Sequence, residues 1–87
     1  MYKIFYTKEA KDQIDKYDKK LKAQLKKTIE KIAGNPSAGK RLMHELTGLQ
    51  SYRTGNYRII YRTYQQQILI LVLAIGHRKD IYKRISR

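Results

Sequence analysis

The sequence predicts a small α+β domain, in which an antiparallel sheet of about four strands packs on an N-terminal helical hairpin in the order β-α-α-β-β-β-α. Three observations lead to this prediction. Apolar residues recur at helical spacing over residues 10–32. Residues 49–54 and 57–64 are rich in β-branched and aromatic types and flank Gly55-Asn56, a pair typical of a two-residue primed turn. Residues 67–75 are predicted to form a strand covered on both faces, because residues 68–75 are an uninterrupted apolar run.

The first 36 residues are expected to form one short strand and two helices. Residues 2–6, YKIFY, are aromatic and β-branched, and Thr7 is a suitable N-cap for a helix. Apolar residues then form two helical stripes, separated by a break at residues 18–20. The stripes consist of Ala10, Ile14 and Tyr17, and of Leu21, Leu25, Ile29 and Ile32. Gly34 and Pro36 end the second helix, because Gly favours the helix cap and Pro disfavours helix in the residue before it.

The predicted turn at Gly55-Asn56 sets the register of the hairpin that follows a loop at residues 35–48. The opposed pairs are Thr54 with Tyr57, Arg53 with Arg58 and Tyr52 with Ile59. Two arginines directly opposite one another on one sheet face repel each other. The pattern therefore indicates an anion above this pair.

Alternation along residues 57–64 divides the third strand between the two faces of the sheet. Tyr57, Ile59 and Tyr61 share the face that we assign to the helical hairpin. Arg58, Ile60 and Arg62 share the other face, which is therefore expected to present arginines.

The C-terminal segment follows a strand-connecting turn at residues 65–67 and the apolar run. Residues 78–85 are expected to form one or two helical turns. A helix there would place Arg78 and Tyr82, four residues apart, on the same face.

Composition restricts the class of protein and its partners. With 87 residues, a single domain spanning residues 1–87 is expected. Twenty Lys and Arg against seven Asp and Glu give a formal charge of +13, which favours nucleic acid or an acidic protein as partner. The longest apolar run is too short to cross a membrane, and no secretory signal is recognisable, so we expect a cytoplasmic protein without a membrane partner.

The residue types disfavour several chemistries and favour one. With two His, no Cys and no acidic cluster, the chain is expected to have no metal site. It also lacks a Gly-rich loop of the kind that binds phosphate groups, so we expect no nucleotide or other small-molecule cofactor. The remaining set comprises Arg53, Arg58, His77, Arg78 and Tyr82. Such a set suits RNA cleavage, because RNA brings its own 2′-hydroxyl nucleophile. Arginine matches phosphate oxygens, whereas His and Tyr can carry protons.

The same residues also have structural interpretations. Arg53 and Arg58 are compatible with ordinary outward-facing strand positions, and Tyr82 is one of eight tyrosines, most of which serve packing in proteins. His77 at a strand end is compatible with a turn residue. From the residues alone, a basic α+β protein that binds polyanions and a ribonuclease both remain open.

The segments GLQSYRTGNYRIIY and VLAIGHRKDIYKRI resemble the RelE/ParE superfamily of toxins from type II toxin–antitoxin systems, and the resemblance covers nearly the whole chain. It implies an mRNA endoribonuclease that acts on the ribosome without a metal and that an acidic antitoxin inhibits in a toxin–antitoxin hetero-oligomer. The catalytic residues implied are Arg58, Arg78, Tyr82 and, as our preference for the proton acceptor, His77. The substrate-binding residues expected are Arg53, Arg62, Lys79, Lys40 and Arg41.

Two departures and one alternative accompany this resemblance. Some RelE-like toxins carry a lysine where this chain has Ser51, and others use a glutamate in the preceding loop, for which Glu45 is a poor equivalent. The general base is therefore not identified by the resemblance. The alternative is a ParE-like inhibitor of DNA gyrase without catalytic activity, or an inactive nucleic-acid-binding relative. ParE-like chains commonly lack the combination of Arg58, Arg78 and Tyr82.

Overall fold

The chain forms a five-stranded sheet with two helices on one face and a short third helix on the other. The computed structural model describes residues 1–85, with side chains to Lys83. The strands are β1 (Lys3–Tyr6), β2 (Lys40–Arg41), β3 (Gln50–Thr54), β4 (Tyr57–Tyr64) and β5 (Leu69–His77), and the helices are α1 (Lys8–Lys16), α2 (Lys19–Gly34) and α3 (Ile81–Ile85). Two 3₁₀ turns, Pro36–Ala38 and His44–Leu46, interrupt the connection between α2 and β3. Among the described residues, no helix is long and apolar enough to cross a membrane.

The sheet has the order β1-β5-β4-β3-β2 and is mixed rather than wholly antiparallel. Strand β1 pairs in parallel with β5, whereas the other three pairs are antiparallel. The α+β class, the helical hairpin and the short C-terminal helix are confirmed, but the prediction of an antiparallel sheet of about four strands was wrong in two details. The direction of β1 depends on pairing with a strand more than 60 residues away. Strand β2 contains only two residues, both basic, which is too short for a recognisable strand pattern.

Side-chain caps define where the two long helices begin. The Thr7 hydroxyl accepts a hydrogen bond from the Ala10 amide, and an Asp18 carboxylate oxygen accepts one from the Leu21 amide. Such bonds satisfy amides that lack a partner within the first helical turn. The caps separate α1 from α2 at the break that the sequence predicts. The two helices then place their apolar stripes on the same face of the sheet.

The hairpin register predicted from Gly55-Asn56 is confirmed. Thr54 pairs with Tyr57, Arg53 with Arg58 and Tyr52 with Ile59. Strand β5 begins two residues later than predicted, because Ile68 adopts a left-handed backbone conformation (φ 54°) within the preceding turn. It also continues to His77, because its last two residues still pair with β4.

Pairing between β4 and β5 contains a bulge that sequence patterns do not reveal. Tyr61 pairs with Val72 and the preceding Ile60 pairs with Ala74, so Leu73 is an extra residue in β5. One extra residue in a strand places every later side chain of that strand on the face opposite to the one that uninterrupted alternation predicts.

Apolar side chains form one cluster on each face of the sheet. The larger cluster joins α1 and α2 to residues of β4 and β5, including the fully buried Ile59, Tyr61 and Val72. The smaller cluster lies under α3 and consists of Ile60, Ala74 and Ile81, with half-buried neighbours. The face expected to present arginines is therefore partly covered, and α3 is anchored there by a fully buried Ile81.

Candidate functional site

A buried serine brings together two of the side chains that the sequence singles out. Ser51 is 3% exposed and lies on the α3 face of β3. Its Oγ accepts a hydrogen bond from Arg58 Nη1 at 3.2 Å and another from the Tyr82 hydroxyl at 3.1 Å. The Arg58 guanidinium also lies over the Tyr82 ring, 5.7 Å from its centroid, within the range of a cation–π contact. We call these three residues the Ser51 cluster.

Three elements position the Ser51 cluster. The hairpin register places Ser51 opposite Ile60, two residues along β4 from Arg58. Tyr82 follows Ile81 in α3, and the burial of Ile81 fixes the height of the phenol above the sheet. Arg58 and Tyr82 are both half-buried. A cation, a phenol and a buried hydroxyl therefore share one rigid, partly enclosed surface.

Two further arginines lie at the hairpin end of the same sheet. Arg53 is opposite Arg58, is exposed, and donates from Nε to the Gly55 carbonyl at 3.4 Å. The Arg78 amide donates to the Asn56 carbonyl at 2.9 Å, which ties the segment after β5 to the hairpin turn. The arrangement concentrates positive charge beside the Ser51 cluster.

The predicted helical relation between Arg78 and Tyr82 is wrong. Arg78 lies in a turn, and α3 begins only at Ile81. The two residues are associated instead through the hydrogen bond from Arg78 to Asn56 and the contact of Tyr82 with the hairpin strands. Sequence spacing alone did not distinguish a helix from a turn followed by a helix.

His77 is placed on the opposite face of the sheet from the Ser51 cluster. It pairs with Tyr57, and the two rings meet edge to face with centroids 6.0 Å apart on the helical-hairpin face. Its Nδ1 accepts a hydrogen bond from the Lys79 amide at 3.3 Å. The bulge at Leu73 explains why His77 lies on the helical-hairpin face. Without the extra residue, alternation from Val72 would place His77 on the same face as Arg58. The structure therefore does not bring His77 to Tyr82 as the sequence-based interpretation required.

The remaining predicted substrate-binding residues lie at different distances from the Ser51 cluster. Lys40 is directly opposite Ser51, whereas Arg41 is opposite Gln50 and lines a separate groove. Arg62 lies four residues along β4 from Arg58, with its guanidinium 5.7 Å from the centroid of the Tyr64 ring. Lys79 is exposed in the turn before α3.

The groove beside Arg41 has a volume of about 790 Å³ and lies at the far end of β4. Its lining includes Gln50, Thr63 and Tyr64, but no member of the Ser51 cluster. The Ser51 cluster thus lies outside this groove, on a separate part of the molecular surface. In the part of the chain whose side chains are described, no group of three or more His, Asp or Glu residues could hold a metal ion.

Ser51 is the member of the cluster that sequence reasoning missed. The resemblance identifies this position only as one where some RelE-like toxins carry lysine. The hairpin register could have indicated Ser51. Two residues before Arg53 on the same strand, Ser51 must lie on the same face as Arg53 and Arg58. A polar residue on a covered sheet face needs a hydrogen-bond partner, and here it has two.

Comparison with known proteins identifies the family. A family model described as the ParE toxin of the type II toxin–antitoxin system parDE matches residues 4–82. The chain belongs to this family. It is a toxin of the RelE/ParE superfamily, as the motifs GNYRIIY and GHRKDIY predict.

Relatives within the superfamily carry RelE-type names. Toxin RelG of Mycobacterium tuberculosis is 44% identical over 46 residues, which are 53% of this chain and 53% of RelG. A putative RelE-like toxin protein of Escherichia coli is 28% identical over 90 residues, covering 98% of this chain and 94% of that protein. Among solved structures, the toxin–antitoxin complex RelBE2 of M. tuberculosis superposes with a TM-score of 0.82 at 28% identity, covering 88% of this chain and 98% of the matched chain. The toxin fold thus accounts for nearly the whole of this chain.

Proposed function

We propose that this toxin is an endoribonuclease that cleaves mRNA on the ribosome by attack of the 2′-hydroxyl on the adjacent phosphate. The observation that carries the proposal is the Ser51 cluster, in which Arg58 and Tyr82 share one buried hydroxyl on an exposed basic surface. RNA supplies the nucleophile, so the protein needs only to stabilise the extra charge on the phosphorus centre and to move protons.

The roles follow from the chemistry of each side chain. Arg58 binds nonbridging phosphate oxygens, because its planar guanidinium offers paired donors and stays charged at neutral pH. A water molecule accepts the proton of the attacking 2′-hydroxyl, and Tyr82 turns its phenolic proton from Ser51 Oγ to the 5′-oxygen as the bond from phosphorus to that oxygen breaks. The resulting phenolate regains a proton from solvent. Arg53 and Arg78 bind the flanking phosphates at the hairpin end. Ser51 orients Arg58 and Tyr82 through the two hydrogen bonds that its Oγ accepts.

The position of His77 changes the assignment of proton carriers. Because His77 lies against Tyr57 on the opposite face, we do not include it in the proposed reaction. Tyr82 becomes the proton donor, and Lys79 stays at the edge of the site as an exposed cation.

Two partners accompany this function. The charge of +13 suits the phosphate-rich surface of a ribosome, where mRNA is presented as an extended single strand. The same charge suits an acidic antitoxin, and the M. tuberculosis neighbour was solved as a toxin–antitoxin complex. We propose that an antitoxin of this kind inhibits the toxin by covering the arginine-bearing face.

The name of the matching family supports a second candidate, a ParE-like protein that inhibits DNA gyrase without catalysis. That function requires a binding surface but no phenol hydrogen-bonded beside a phosphate-binding arginine. The Ser51 cluster therefore favours the ribonuclease, and the two candidates predict different damage in cells.

Sequencing of RNA ends after induction tests the proposal. Induction of the toxin is expected to stop translation and to produce new mRNA ends within codons, with a 5′-hydroxyl on the downstream fragment. Tyr82→Phe should abolish the new ends, whereas Tyr64→Phe, an exchange at the far end of β4, should leave them unchanged. Intact mRNA together with arrested replication would contradict the ribonuclease and support gyrase inhibition.

A further inference from the structure

We propose that Lys40 is a further catalytic residue, whose ammonium binds a nonbridging oxygen of the scissile phosphate on the side of Ser51 that faces away from Arg58. The inference rests on the ribonuclease proposed above and gives Lys40 a role in the transition state rather than in general RNA binding. It also provides a second cation beside Ser51, on the side away from Arg58.

The register of β2 directs Lys40 towards the Ser51 cluster. Lys40 is the direct partner of Ser51 in the antiparallel pair of β2 and β3. Opposed residues in such a pair project from the same face, with Cβ atoms about 4.5–5.5 Å apart. Leu42, two residues further on, packs in the cluster under α3 and so identifies the same face independently. The adjacent Arg41 is paired with Gln50 and lies on the other face.

Lys40 and Arg58 lie on the two strands that flank Ser51, one on each side of it. Arg58 reaches Ser51 from β4, while Lys40 stands beside it on β2. A phosphate above Ser51 and the Tyr82 phenol would therefore have a cation on each side. Neither cation is neutralised by an acid, because the ion pair found among residues 1–83 joins Lys22 and Asp15 in the helical hairpin.

A network of hydrogen bonds fixes β2 although the strand has only two residues. The buried Tyr61 hydroxyl donates to the Pro36 carbonyl at 2.6 Å and accepts from the Gly39 amide at 3.0 Å. Gln50 Nε2 donates to the same Pro36 carbonyl at 2.8 Å. Gly39 packs so closely on Tyr61 that a Cβ atom there would overlap the phenol. The backbone immediately before Lys40 is therefore held in place, which fixes the point at which the Lys40 side chain leaves the sheet.

A cation beside the scissile phosphate increases the cleavage rate by stabilising the transition state. Attack by the 2′-hydroxyl adds negative charge to the nonbridging oxygens, so a fixed ammonium binds the transition state more strongly than the ground state. Removing one group of this kind lowers kcat by roughly 10²–10³-fold in well-studied enzymes. A lysine that only attracts RNA would change the apparent affinity and its salt dependence instead.

Cleavage of a labelled mRNA on programmed ribosomes, measured at saturating toxin, tests the inference. We expect Lys40→Met to lower kcat by about 100-fold and Lys40→Arg to recover most of the rate, because a guanidinium also binds phosphate oxygens. Lys27→Met is the matched control, since it removes the same charge from an exposed position on α2. Lys40 is itself exposed, so the variants should keep the wild-type circular dichroism spectrum and unfolding midpoint.

The outcomes separate this inference from the proposed function. Equal kcat values for Lys40→Met and Lys27→Met, with active wild-type toxin, would overturn the role of Lys40 and leave the ribonuclease intact. A defect in Lys40→Met that disappears at saturating toxin would also overturn it, because it would show a role in binding alone. Wild-type toxin that leaves the mRNA uncut would overturn the proposed function and this inference together.

Discussion

Ser51 links Arg58 and Tyr82 at the candidate site. The residue is 3% exposed, and its hydroxyl accepts two hydrogen bonds, one from a guanidinium and one from a phenol. A buried hydroxyl between two functional groups fixes their relative positions without itself reacting. We therefore expect Ser51 to act as a positioning residue.

Replacing Ser51 tests this role with a small change in volume. Ser51→Ala should lower kcat for ribosome-dependent cleavage by about 10-fold or more, because Arg58 and Tyr82 lose their common acceptor. The cost to the free energy of unfolding should be about 1–3 kcal/mol, since polar groups lose a partner in a half-buried place. Ser37→Ala, which removes an exposed hydroxyl bonded to Asn35, is the control for both measurements. Equal kcat values for the two variants would contradict the positioning role.

Tyr61 controls stability rather than chemistry. Burial raises the pKa of its phenol above the ordinary value of 10.0, and the hydrogen bond from Gly39 opposes this only in part. A raised folded-state pKa contributes stability that is complete below about pH 10 and is lost as pH rises through the folded-state pKa. Tyr61 thus favours the folded state at neutral pH and contributes to alkaline unfolding.

The variant Tyr61→Phe makes both effects measurable by urea unfolding. At pH 7 we expect a loss of about 1–3 kcal/mol, because the hydroxyl links Pro36 and Gly39 in a buried place. Between pH 9 and about 11, the variant should lose stability less steeply than the wild type. The remaining slope includes Tyr6, whose pKa is raised by burial and by the nearby Glu30. Parallel curves for the two proteins would contradict the assignment.

At the scale of elements, one threonine couples the start of α1 to the bulge of β5. The Thr7 hydroxyl accepts from the Ala10 amide and donates to the carbonyl of Leu73, the extra residue of the bulge, at 3.0 Å. The bulge in turn sets which residues of β5 after Leu73 lie on each face of the sheet. Gly76 lies beside Arg58, and His77 lies on the opposite face. The helix cap therefore supports the geometry of the site from a distance.

Changing Thr7 should weaken this coupling. Thr7→Val keeps the shape of the side chain but removes both hydrogen bonds, and we expect it to cost about 1–2 kcal/mol in the free energy of unfolding. Thr7→Ser keeps the hydroxyl and is the matched control. Chemical denaturation of both variants measures the difference, and equal midpoints would show that the cap contributes nothing to stability.

The elements that could be predicted from sequence are those whose signals are local. The caps at Thr7 and Asp18, the turn at Gly55-Asn56 and the hairpin register depend on residues within a few positions of one another, and all were correctly predicted or follow from correct predictions. The parallel pairing of β1, the two-residue β2 and the bulge at Leu73 depend on contacts between distant segments. For the candidate site, the sequence predicts the opposed pair Arg53–Arg58, which the register confirms. It does not indicate Ser51, and it groups His77 with residues that lie on the opposite face of the sheet.

At the scale of the whole molecule, basic residues cover both sides of the sheet. Lysines outnumber acids at the exposed positions of α2, whereas α1 exposes three lysines and three acids, and the arginines Arg53 and Arg58 of the hairpin lie on the α3 face. The lysines of α2 are thus remote from the Ser51 cluster, whereas the hairpin arginines lie beside it. A formal charge of +13 on 87 residues makes binding to a polyanion sensitive to salt.

Salt dependence measures the general attraction. Binding of a fluorescent 2′-O-methyl oligoribonucleotide, which has no free nucleophile, should weaken with salt at a slope of about −0.7 per phosphate contacted. With about four contacts, affinity should fall roughly 50-fold between 50 and 200 mM salt. Lys27→Met should reduce the slope only if α2 contacts RNA. A flat response in the wild type would indicate that the charge serves the antitoxin rather than RNA.

The proposed cleavage of RNA at the Ser51 cluster can be tested by the chemistry of the ends that purified toxin produces on ribosomes programmed with a defined mRNA. Mass spectrometry of the fragments should find a 2′,3′-cyclic phosphate upstream of the cut and a 5′-hydroxyl downstream. Arg58→Ala and Tyr82→Phe should each lower the rate by about 10²-fold or more, whereas Tyr64→Phe should match the wild type. Uncut mRNA, or cleavage that persists at the wild-type rate in Arg58→Ala and Tyr82→Phe, would contradict the claim.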